Sequence, residues 1–176
     1  PGQTSVAYLM QSADGGASWE LLSIMADGRS VEEPFECHEP FVLRTGDHSL
    51  VCFLRCYGEG GLMRMCTSED NGESWSEPVE TGVWGFPQAA LQLEDERIVL
   101  VYGYRREPFG VRARILGPDL SGVEGDEELV LRDEGVGGDL GYPTIAARED
   151  GTVLIGYYFH DKELVRHIAV TVVDPG

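Results

Sequence analysis

The sequence predicts an all-β fold made of repeated antiparallel sheets. Three observations support this: no segment keeps a helical spacing of apolar residues, 23 glycines and 9 prolines indicate many tight turns, and short apolar runs recur along the 176 residues. Charged residues make up 25% of the chain and hydrophobic residues 42%, as in ordinary globular proteins. The chain can therefore bury a core, either as one domain or as part of a larger repeat array.

An eight-residue turn motif occurs twice, as SADGGASW and SEDNGESW, and both copies fit S-x-D-x-G-x-x-W. The aspartate can accept hydrogen bonds from backbone N–H groups of its own turn, the glycine allows a positive φ, and the tryptophan can pack back on the sheet. Weaker copies lie at Asp119, where the tryptophan is missing, and at Asp174. The spacing of about 50 residues is that of one β-propeller blade. The structural residues of the two full motifs are Ser12, Asp14, Gly16 and Trp19, then Ser68, Asp70, Gly72 and Trp75.

A second repeat runs out of phase with the first. Pro40, Pro87 and Pro143 each open a short strand, which a turn and a longer apolar strand follow. These segments are typical of the first two strands of a four-stranded blade. Third strands are predicted at 62–67, 111–116 and 165–172, and fourth strands near 77–80 and 127–131.

The order of these strands predicts a single partial propeller over residues 1–176. Residues 1–36 end one blade, 37–83 and 84–138 form two blades, and 139–176 supply three strands of a last blade. About three blades would close a strained ring, since propellers have typically four to eight. The open blade edges therefore predict a homodimer or a fragment of a larger chain.

The charge balance excludes some partners. The chain has 31 acidic and 13 basic residues, a formal net charge of −18, so it lacks the basic surface that nucleic acids and anionic membranes require. A small anionic ligand remains open, because a few convergent arginines can hold one carboxylate in a protein of any net charge. The alternative reading of the acidic excess is a surface that keeps the protein in solution.

The four cysteines form no C-x-x-C pair, so we expect no zinc site and no other cofactor. If residues 50–56 and 62–66 form a hairpin, Cys52 faces Cys66, and either a cross-strand disulfide or buried free thiols would result. Free thiols and the lack of a visible signal peptide slightly favour the cytoplasm, although a removed leader leaves export open. No segment approaches the ~20 apolar residues that span a bilayer.

The alternation of strand directions sorts the loops onto two rims. The tryptophan motifs fall on one rim, and arginines, carboxylates and aromatic residues converge on the other, as in many ligand sites. The alternative is a set of solvated loop charges and salt bridges between blades. The second rim collects Glu36, His38, Glu39, Arg55, Tyr57, Glu59, Trp84, Phe86, Arg105, Arg106, Glu107, Arg112, Asp139, Tyr142, His160 and Asp161.

The two turn motifs resemble the Asp boxes of sialidases and their relatives, and the resemblance covers essentially the whole chain. It implies a β-propeller of the sialidase type, of which this chain looks like the C-terminal half of a six-bladed wheel. Asp boxes also occur in other glycosidases and in proteins without enzymatic activity. They are therefore specific for the fold and poor indicators of function.

Three local matches follow the order of sialidase motifs. Glu39 in CHEPFVL and Arg55 in LVCFLR resemble the family's glutamate before an inner strand and its arginine at the end of the next strand. Arg112 in PFGVRARILGPD resembles a further arginine, and Tyr142 in GYPTI resembles the family's tyrosine. The resemblance implies that the two arginines bind a substrate carboxylate and that Tyr142 is a nucleophile with Glu39 as its base. The alternative for Tyr142 is a packed aromatic with its hydroxyl bonded to backbone.

The chain also departs from the family pattern. Nothing in residues 1–36 resembles the family's first arginine or its aspartate acid/base, and Asp139 is a candidate substitute for that acid. His38 and Arg105 are further candidates for contacts to a sugar. We expect a sialidase-like propeller of the glycoside hydrolase lineage that binds a sugar such as a sialic acid, with an incomplete catalytic set. The alternative is a non-catalytic module for carbohydrate binding or oligomeric assembly.

Overall fold

The computed structural model describes residues 5–29, 34–46, 48–57, 60–125 and 127–176. These ranges form four antiparallel sheets and contain no helix, which confirms the all-β prediction. The strands are β1 (Val6–Gln11), β2 (Glu20–Asp27), β3 (Glu36–Arg44), β4 (Leu50–Tyr57), β5 (Arg64–Ser68), β6 (Val79–Glu80), β7 (Gln88–Gln92), β8 (Ile98–Tyr104), β9 (Phe109–Leu116), β10 (Leu129–Gly135), β11 (Gly141–Ala147), β12 (Val153–His160) and β13 (Arg166–Val173).

The chain divides into two compact units, Pro1–Thr81 and Gly82–Gly176. The first unit holds the pair β1-β2 and the four-stranded sheet β3-β4-β5-β6. The second holds the four-stranded sheet β10-β9-β8-β7 and the three-stranded sheet β11-β12-β13. Every pairing joins strands that are consecutive in the chain, as the hairpin-rich sequence predicts.

The core of the first unit lies between its two sheets. Met25 and Ala26 of β2 pack against Leu54 of β4, and Leu54 is completely buried. The same core holds all four cysteines, and Cys52 lies directly opposite Cys66 in the β4–β5 pairing, as predicted. A second pair, Cys37 and Cys56, is opposed across β3 and β4. All four are present as buried thiols.

The core of the second unit is built from alternating side chains of β8, β9 and β12. Val99, Val101, Ile155 and Phe159 belong to it, and none of them is accessible to solvent. Alternation is clearest in β13, where every second side chain turns away from the core. This period of two is what packs one face of a sheet and leaves the other uncovered.

The second tryptophan motif is stabilised from within. The Gly72 N–H donates to Ser68 Oγ (2.8 Å), and the Ser74 N–H donates to Asp70 Oδ1 (2.9 Å). Gly72 has a φ of 91°, and a Cβ there would lie 2.5 Å from a methyl group of Leu9. The motif therefore needs glycine for its backbone conformation, and a Cβ there would also displace the Leu9 side chain of β1.

The same motif also fastens the four-stranded sheet to the pair β1-β2. Trp75 Nε1 donates to Ser23 Oγ (3.1 Å) on β2, and Ser23 Oγ donates to the Gly72 carbonyl (2.5 Å). Ser23 thus connects both the Gly72 backbone and the Trp75 side chain of the turn to the neighbouring pair β1-β2.

The first tryptophan motif has the same internal hydrogen bonds. The Gly16 N–H donates to Ser12 Oγ (2.7 Å), and the Ser18 N–H donates to Asp14 Oδ1 (2.9 Å). Its tryptophan differs, because Trp19 is 63% exposed. The turn conformation is therefore set by the motif itself and does not need a docked tryptophan.

Across the described residues, no helix has both the length and the apolar character needed to cross a membrane.

Candidate functional site

A β-bulge at the start of β3 positions Glu39. The β3–β4 register shifts between His38 and Phe41, and Glu39 at this shift has a φ of 47°, which is rare for a residue other than glycine. Bulges re-aim side chains, and strained backbone concentrates at functional positions. Glu39 thereby reaches Arg55 on β4, and Arg55 Nη1 donates to Glu39 Oε2 at 2.8 Å.

Glu36, His38 and Tyr57 complete this cluster in the first unit. His38 Nε2 lies 2.7 Å from Glu36 Oε1, and the His38 ring meets the Tyr57 ring edge to face at 5.2 Å. The Arg55 guanidinium lies over the ring of this tyrosine, 4.7 Å from the ring centre. The five side chains line an open cavity of about 480 Å³. Glu59, which sequence analysis placed on the same rim, lies outside the described residues.

A corresponding bulge at the start of β11 positions Tyr142. The β11–β12 register shifts between Gly141 and Thr144, and Tyr142 has a φ of 49°. Its side chain is 52% exposed and stacks on Tyr158 at a ring distance of 6.0 Å. This exposure argues against the alternative in which Tyr142 is a packed aromatic.

Arg105 links the aromatic residues of the second unit. Its guanidinium lies 5.5 Å from the Tyr142 ring centre and 5.7 Å from that of Phe86. Arg105 Nε donates to the Leu140 carbonyl (3.0 Å), and Nη2 lies 3.4 Å from the Tyr158 hydroxyl. The side chain is thus held between the end of β8 and the start of β11. Among the described residues, no carboxylate forms an ion pair with it.

Asp139 is held by two donors, the Tyr158 hydroxyl (2.5 Å) and the Arg166 guanidinium. These two hydrogen bonds lower the pKa of the Asp139 carboxyl, the one from Tyr158 more strongly. Burial, and then the hydrogen bond to Asp139, raise the pKa of Tyr158. A lowered pKa keeps Asp139 ionised near neutral pH, which disfavours the predicted role as a proton donor. The ionised carboxylate instead fixes the position of the Tyr158 hydroxyl.

Arg112 on β9 already has a carboxylate partner, Glu128, which directly precedes β10. Arg112 Nη1 donates to Glu128 Oε2 at 2.6 Å, and its guanidinium lies 3.6 Å from the ring centre of Tyr104. The Arg112 and Glu128 side chains are only 14% and 19% exposed. Any substrate carboxylate at Arg112 would have to compete with Glu128.

Glu128 also receives a hydrogen bond from the Tyr102 hydroxyl and lies near Arg114. Burial alone would raise the pKa of Glu128, but the hydrogen bonds from Tyr102 and Arg112 outweigh burial and lower it. The phenol responds in the opposite sense, since burial and the bond to Glu128 raise the pKa of Tyr102. The carboxylate is therefore the ionised centre of a polar network in the sheet.

A second group of aromatic side chains lies beside Arg106. Sequence reasoning placed this group on the rim but gave it no role. The Arg106 guanidinium lies 3.7 Å from the ring centre of Trp84, and Trp84 meets Phe86 and Tyr104 edge to face. Alternating guanidinium and aromatic groups thus cover the entrance to β7 and the end of β8.

The predicted site residues fall into two clusters, one in each unit. The first unit brings together Glu39, Arg55 and His38, and the second brings together Tyr142, Arg105 and Asp139. Sequence reasoning missed Tyr158, Arg166 and Glu128. Tyr158 could have been found from the alternation along β12, whereas Glu128 follows only from the β9–β10 register. Within the described residues, no group of three or more His, Cys, Asp or Glu side chains is arranged to hold a metal ion.

Comparison with known proteins supplies a family model, described as the BNR repeat-like domain, that matches residues 2–155. A protein of unknown function from Dyadobacter fermentans DSM 18053 has 35% sequence identity and a TM-score of 0.84; the match covers 94% of this chain and 44% of that one. This chain therefore spans less than half the length of the Dyadobacter protein. No curated protein sequence matches it significantly.

More distant solved structures share the fold. An endo-1,4-beta-xylanase from Bacteroides thetaiotaomicron VPI-5482 has 12% identity and a TM-score of 0.71, covering 98% of this chain and 62% of that one. The structure of NanB with Optactamide has 15% identity and a TM-score of 0.64, covering 98% and 28%. At these identities the likeness concerns the fold alone. The prediction of a sialidase-type β-propeller fold is thereby confirmed.

Proposed function

Because this chain belongs to the BNR repeat-like domain family, we propose that it binds a sugar at the rim that carries Tyr142 and Arg105. Its fold is that of sialidase-like propellers of the glycoside hydrolase lineage. The observation that carries the proposal is Tyr142, a strained and half-exposed tyrosine between an arginine and a second tyrosine. A residue held in such a conformation at a surface is a functional candidate.

The surroundings of Tyr142 suit a pyranose ring. The stacked rings of Tyr142 and Tyr158 offer an apolar face for the C–H side of a sugar. Arg105 supplies donors and Asp139 supplies acceptors for hydroxyl groups, since planar charged side chains make the strongest hydrogen bonds to polar ligands. A sugar that also bears a carboxylate, such as a sialic acid, would gain a charge-assisted bond from Arg105, which interacts electrostatically with Asp139 but forms no direct ion pair with it among the described residues.

Binding is tested by titrating the protein with the α-methyl glycoside of a sialic acid and with a neutral methyl hexoside. Arg105→Ala should weaken binding of the sialoside by about tenfold or more, because a charge-assisted hydrogen bond is lost. Arg148→Ala is the matched control, since this arginine pairs with Asp150 on an exposed turn. Equal affinities of the wild type and Arg105→Ala would contradict the proposed contact.

For hydrolysis, the proposed role of Tyr142 is that of the nucleophile, as the family resemblance implies. A fluorogenic sialoside assay tests this role. Tyr142→Phe should reduce turnover by about 100-fold or more, because the attacking oxygen is removed. Tyr8→Phe is the control, since Tyr8 is a comparably exposed tyrosine in the first sheet. Unchanged turnover in Tyr142→Phe would remove the mechanism.

A second candidate function, a non-catalytic assembly module, is favoured by the uncovered surface of β13. Ile168, Val170 and Val172 alternate on its exposed face, and among the described residues β13 pairs only with β12. We propose that this apolar face packs on the same face of a second copy of the chain, since an isologous contact would bury Ile168, Val170 and Val172. Sedimentation should give a dimer mass, and Val170→Lys should reduce it to that of a monomer. A monomeric wild type would exclude this assembly.

A further inference from the structure

We infer that His38, oriented by Glu36, is a proton-transfer residue of the cavity beside Arg55. The inference takes its substrate class, a glycoside, from the proposed function, and it is confined to the first-unit cavity lined by Glu36, His38, Glu39, Arg55 and Tyr57. It concerns a residue pair within the first unit. The family resemblance assigns no role to this pair.

The first step is the tautomer of His38. Its Nε2 lies 2.7 Å from Glu36 Oε1, and a carboxylate near neutral pH only accepts hydrogen bonds. Nε2 must therefore carry the proton, which leaves Nδ1 as the acceptor nitrogen in the neutral ring. Among the described residues, no hydrogen bond occupies Nδ1. An imidazole fixed through one nitrogen by a carboxylate and open at the other is the arrangement that general acids and bases use.

The second step is accessibility. The side chains of His38 and Glu36 are 39% and 25% exposed, so the pair is reachable from solvent while Tyr57 holds one edge of the imidazole. The cavity of about 480 Å³ next to them has room for one sugar ring. Arg55 and Glu39, which form an ion pair, also line this cavity. The charged groups that face His38 are therefore Glu36, Glu39 and Arg55, and Tyr57 is the other titratable group.

The third step is the proton balance. In the protonated ring, Nδ1–H donates its proton to the glycosidic oxygen as the bond between that oxygen and the anomeric carbon breaks, and the aglycone leaves as an alcohol. The neutral ring then takes one proton from the attacking water, whose oxygen bonds to the anomeric carbon. The imidazole returns to its starting state, and only water is consumed. Glu36 remains ionised throughout and acts as a positioning residue.

One test needs no substrate. Diethyl pyrocarbonate acylates unprotonated imidazole nitrogens, and mass spectrometry locates the product. We expect His38 to react several-fold faster than His48, an exposed histidine without a described side-chain hydrogen bond. In Glu36→Gln the advantage of His38 should disappear, because the ring loses the carboxylate hydrogen bond that increases the electron density at Nδ1. Equal rates for His38 in the wild type and in Glu36→Gln would overturn the proposed pairing.

The second test separates an acid from a merely structural residue. His38→Gln should lower the single-turnover rate of aglycone release from an alkyl sialoside by about 100-fold. It should change the single-turnover rate of release from an activated aryl sialoside by less than about threefold, since a good leaving group needs no proton. His48→Gln is the control and should leave both rates unchanged. Equal losses on both substrates, or no loss, would overturn the role. Absence of wild-type turnover would count against both the proposed hydrolysis and this step, while the acylation result still decides the His38–Glu36 pair.

Discussion

Glu39 and Tyr142 occupy the same position in two different sheets. Each directly precedes a proline, each lies in a bulge at the start of a strand, and their φ values are 47° and 49°. The residues that the family resemblance singled out thus share a strained backbone, which neither composition nor periodicity could reveal. Such strain persists only where the surrounding sheet imposes it.

This strain predicts how the position responds to glycine. Tyr142→Gly should be more stable than Tyr142→Ala by about 1 kcal/mol, because glycine adopts positive φ without the Cβ clash that costs alanine about 1–2 kcal/mol. Urea denaturation measures the difference. Tyr158 in the interior of β12 is the control, and there alanine should be the more stable substitution. A Tyr142→Ala variant more stable than Tyr142→Gly would contradict the strain argument.

Glu128 should matter more for stability than an exposed partner of an arginine. Glu128→Gln leaves Arg112 and Arg114 without their anion in a mostly buried site, and breaking such a pair costs about 3–5 kcal/mol. In Glu80→Gln the pair with Arg64 is lost where Glu80 is 47% exposed, and the cost should stay below about 1 kcal/mol. The two variants are compared by denaturant unfolding. If both variants lose a similar free energy of unfolding, the Glu128 network contributes no more to stability than an exposed ion pair.

The two tryptophans of the turn motifs should differ in their contribution to stability. Trp75→Ala removes a packed ring and its hydrogen bond to Ser23, at a cost of about 3 kcal/mol. Trp19→Ala removes a ring that lies mostly in solvent and should change stability by less than about 0.5 kcal/mol. Thermal unfolding of both variants is the measurement. A larger loss in Trp19→Ala would indicate a contact of Trp19 absent from this structure.

The aspartate of the second motif predicts a sensitivity to acid. Hydrogen bonds from the Ser74 side chain, the Ser74 N–H and Ser68 lower the pKa of Asp70 from 3.8 to about 2. Because the pKa is lower in the folded state, the stabilisation is complete above about pH 4 and is lost as the pH falls towards about 2. Asp70→Asn should therefore lose less stability than the wild type over this range. Melting temperatures across the range measure the effect.

Glu69→Gln is the matched control for Asp70→Asn, because it removes one charge from the same turn without changing the hydrogen bonds of Asp70. It should keep the wild-type dependence on pH between about 4 and 2. If Glu69→Gln and Asp70→Asn behave alike, the effect belongs to net charge and not to the turn.

The four thiols should be inert in the folded protein. Burial raises the pKa of Cys56 to about 12, and the contact with Cys66, followed by burial, raises that of Cys52. Iodoacetamide should therefore modify none of the cysteines at pH 8 within minutes, and all of them after unfolding in urea. Rapid native modification of Cys52 would contradict this burial. Intact mass without reductant separately detects a Cys52–Cys66 disulfide, the alternative that the strand register permits.

Much of the fold follows from local signals in the sequence. The repeated X-Pro starts and apolar runs located the strands, and the predicted third strand at 111–116 lies within β9. The fourth strands were predicted less well. Of the predicted strand 77–80, only the two residues Val79–Glu80 pair as a strand. Pro78 has no N–H to donate to the neighbouring strand. The other fourth strand begins at Leu129 and extends to Gly135, beyond the predicted 127–131.

The site was harder to predict because its partners are brought together by register. The family resemblance predicts Arg112 as a carboxylate ligand, yet it lies opposite Val130, which brings Glu128 into contact with its guanidinium. The predicted role of Asp139 as a proton donor is disfavoured in the same way. Tyr158 on β12 and Arg166 on β13 both donate hydrogen bonds to its carboxylate. Residue types and spacing identify charged rims, but they do not reveal which charges neutralise one another.

The three tryptophans also make the two units optically distinguishable. Trp19 and Trp75 belong to the first unit and Trp84 to the second, where the Arg106 guanidinium covers its ring. In Trp84→Phe all indole emission comes from the first unit, and in Trp19→Phe/Trp75→Phe all of it comes from the second. Fluorescence during denaturation then records whether the halves of the chain melt together or one after the other.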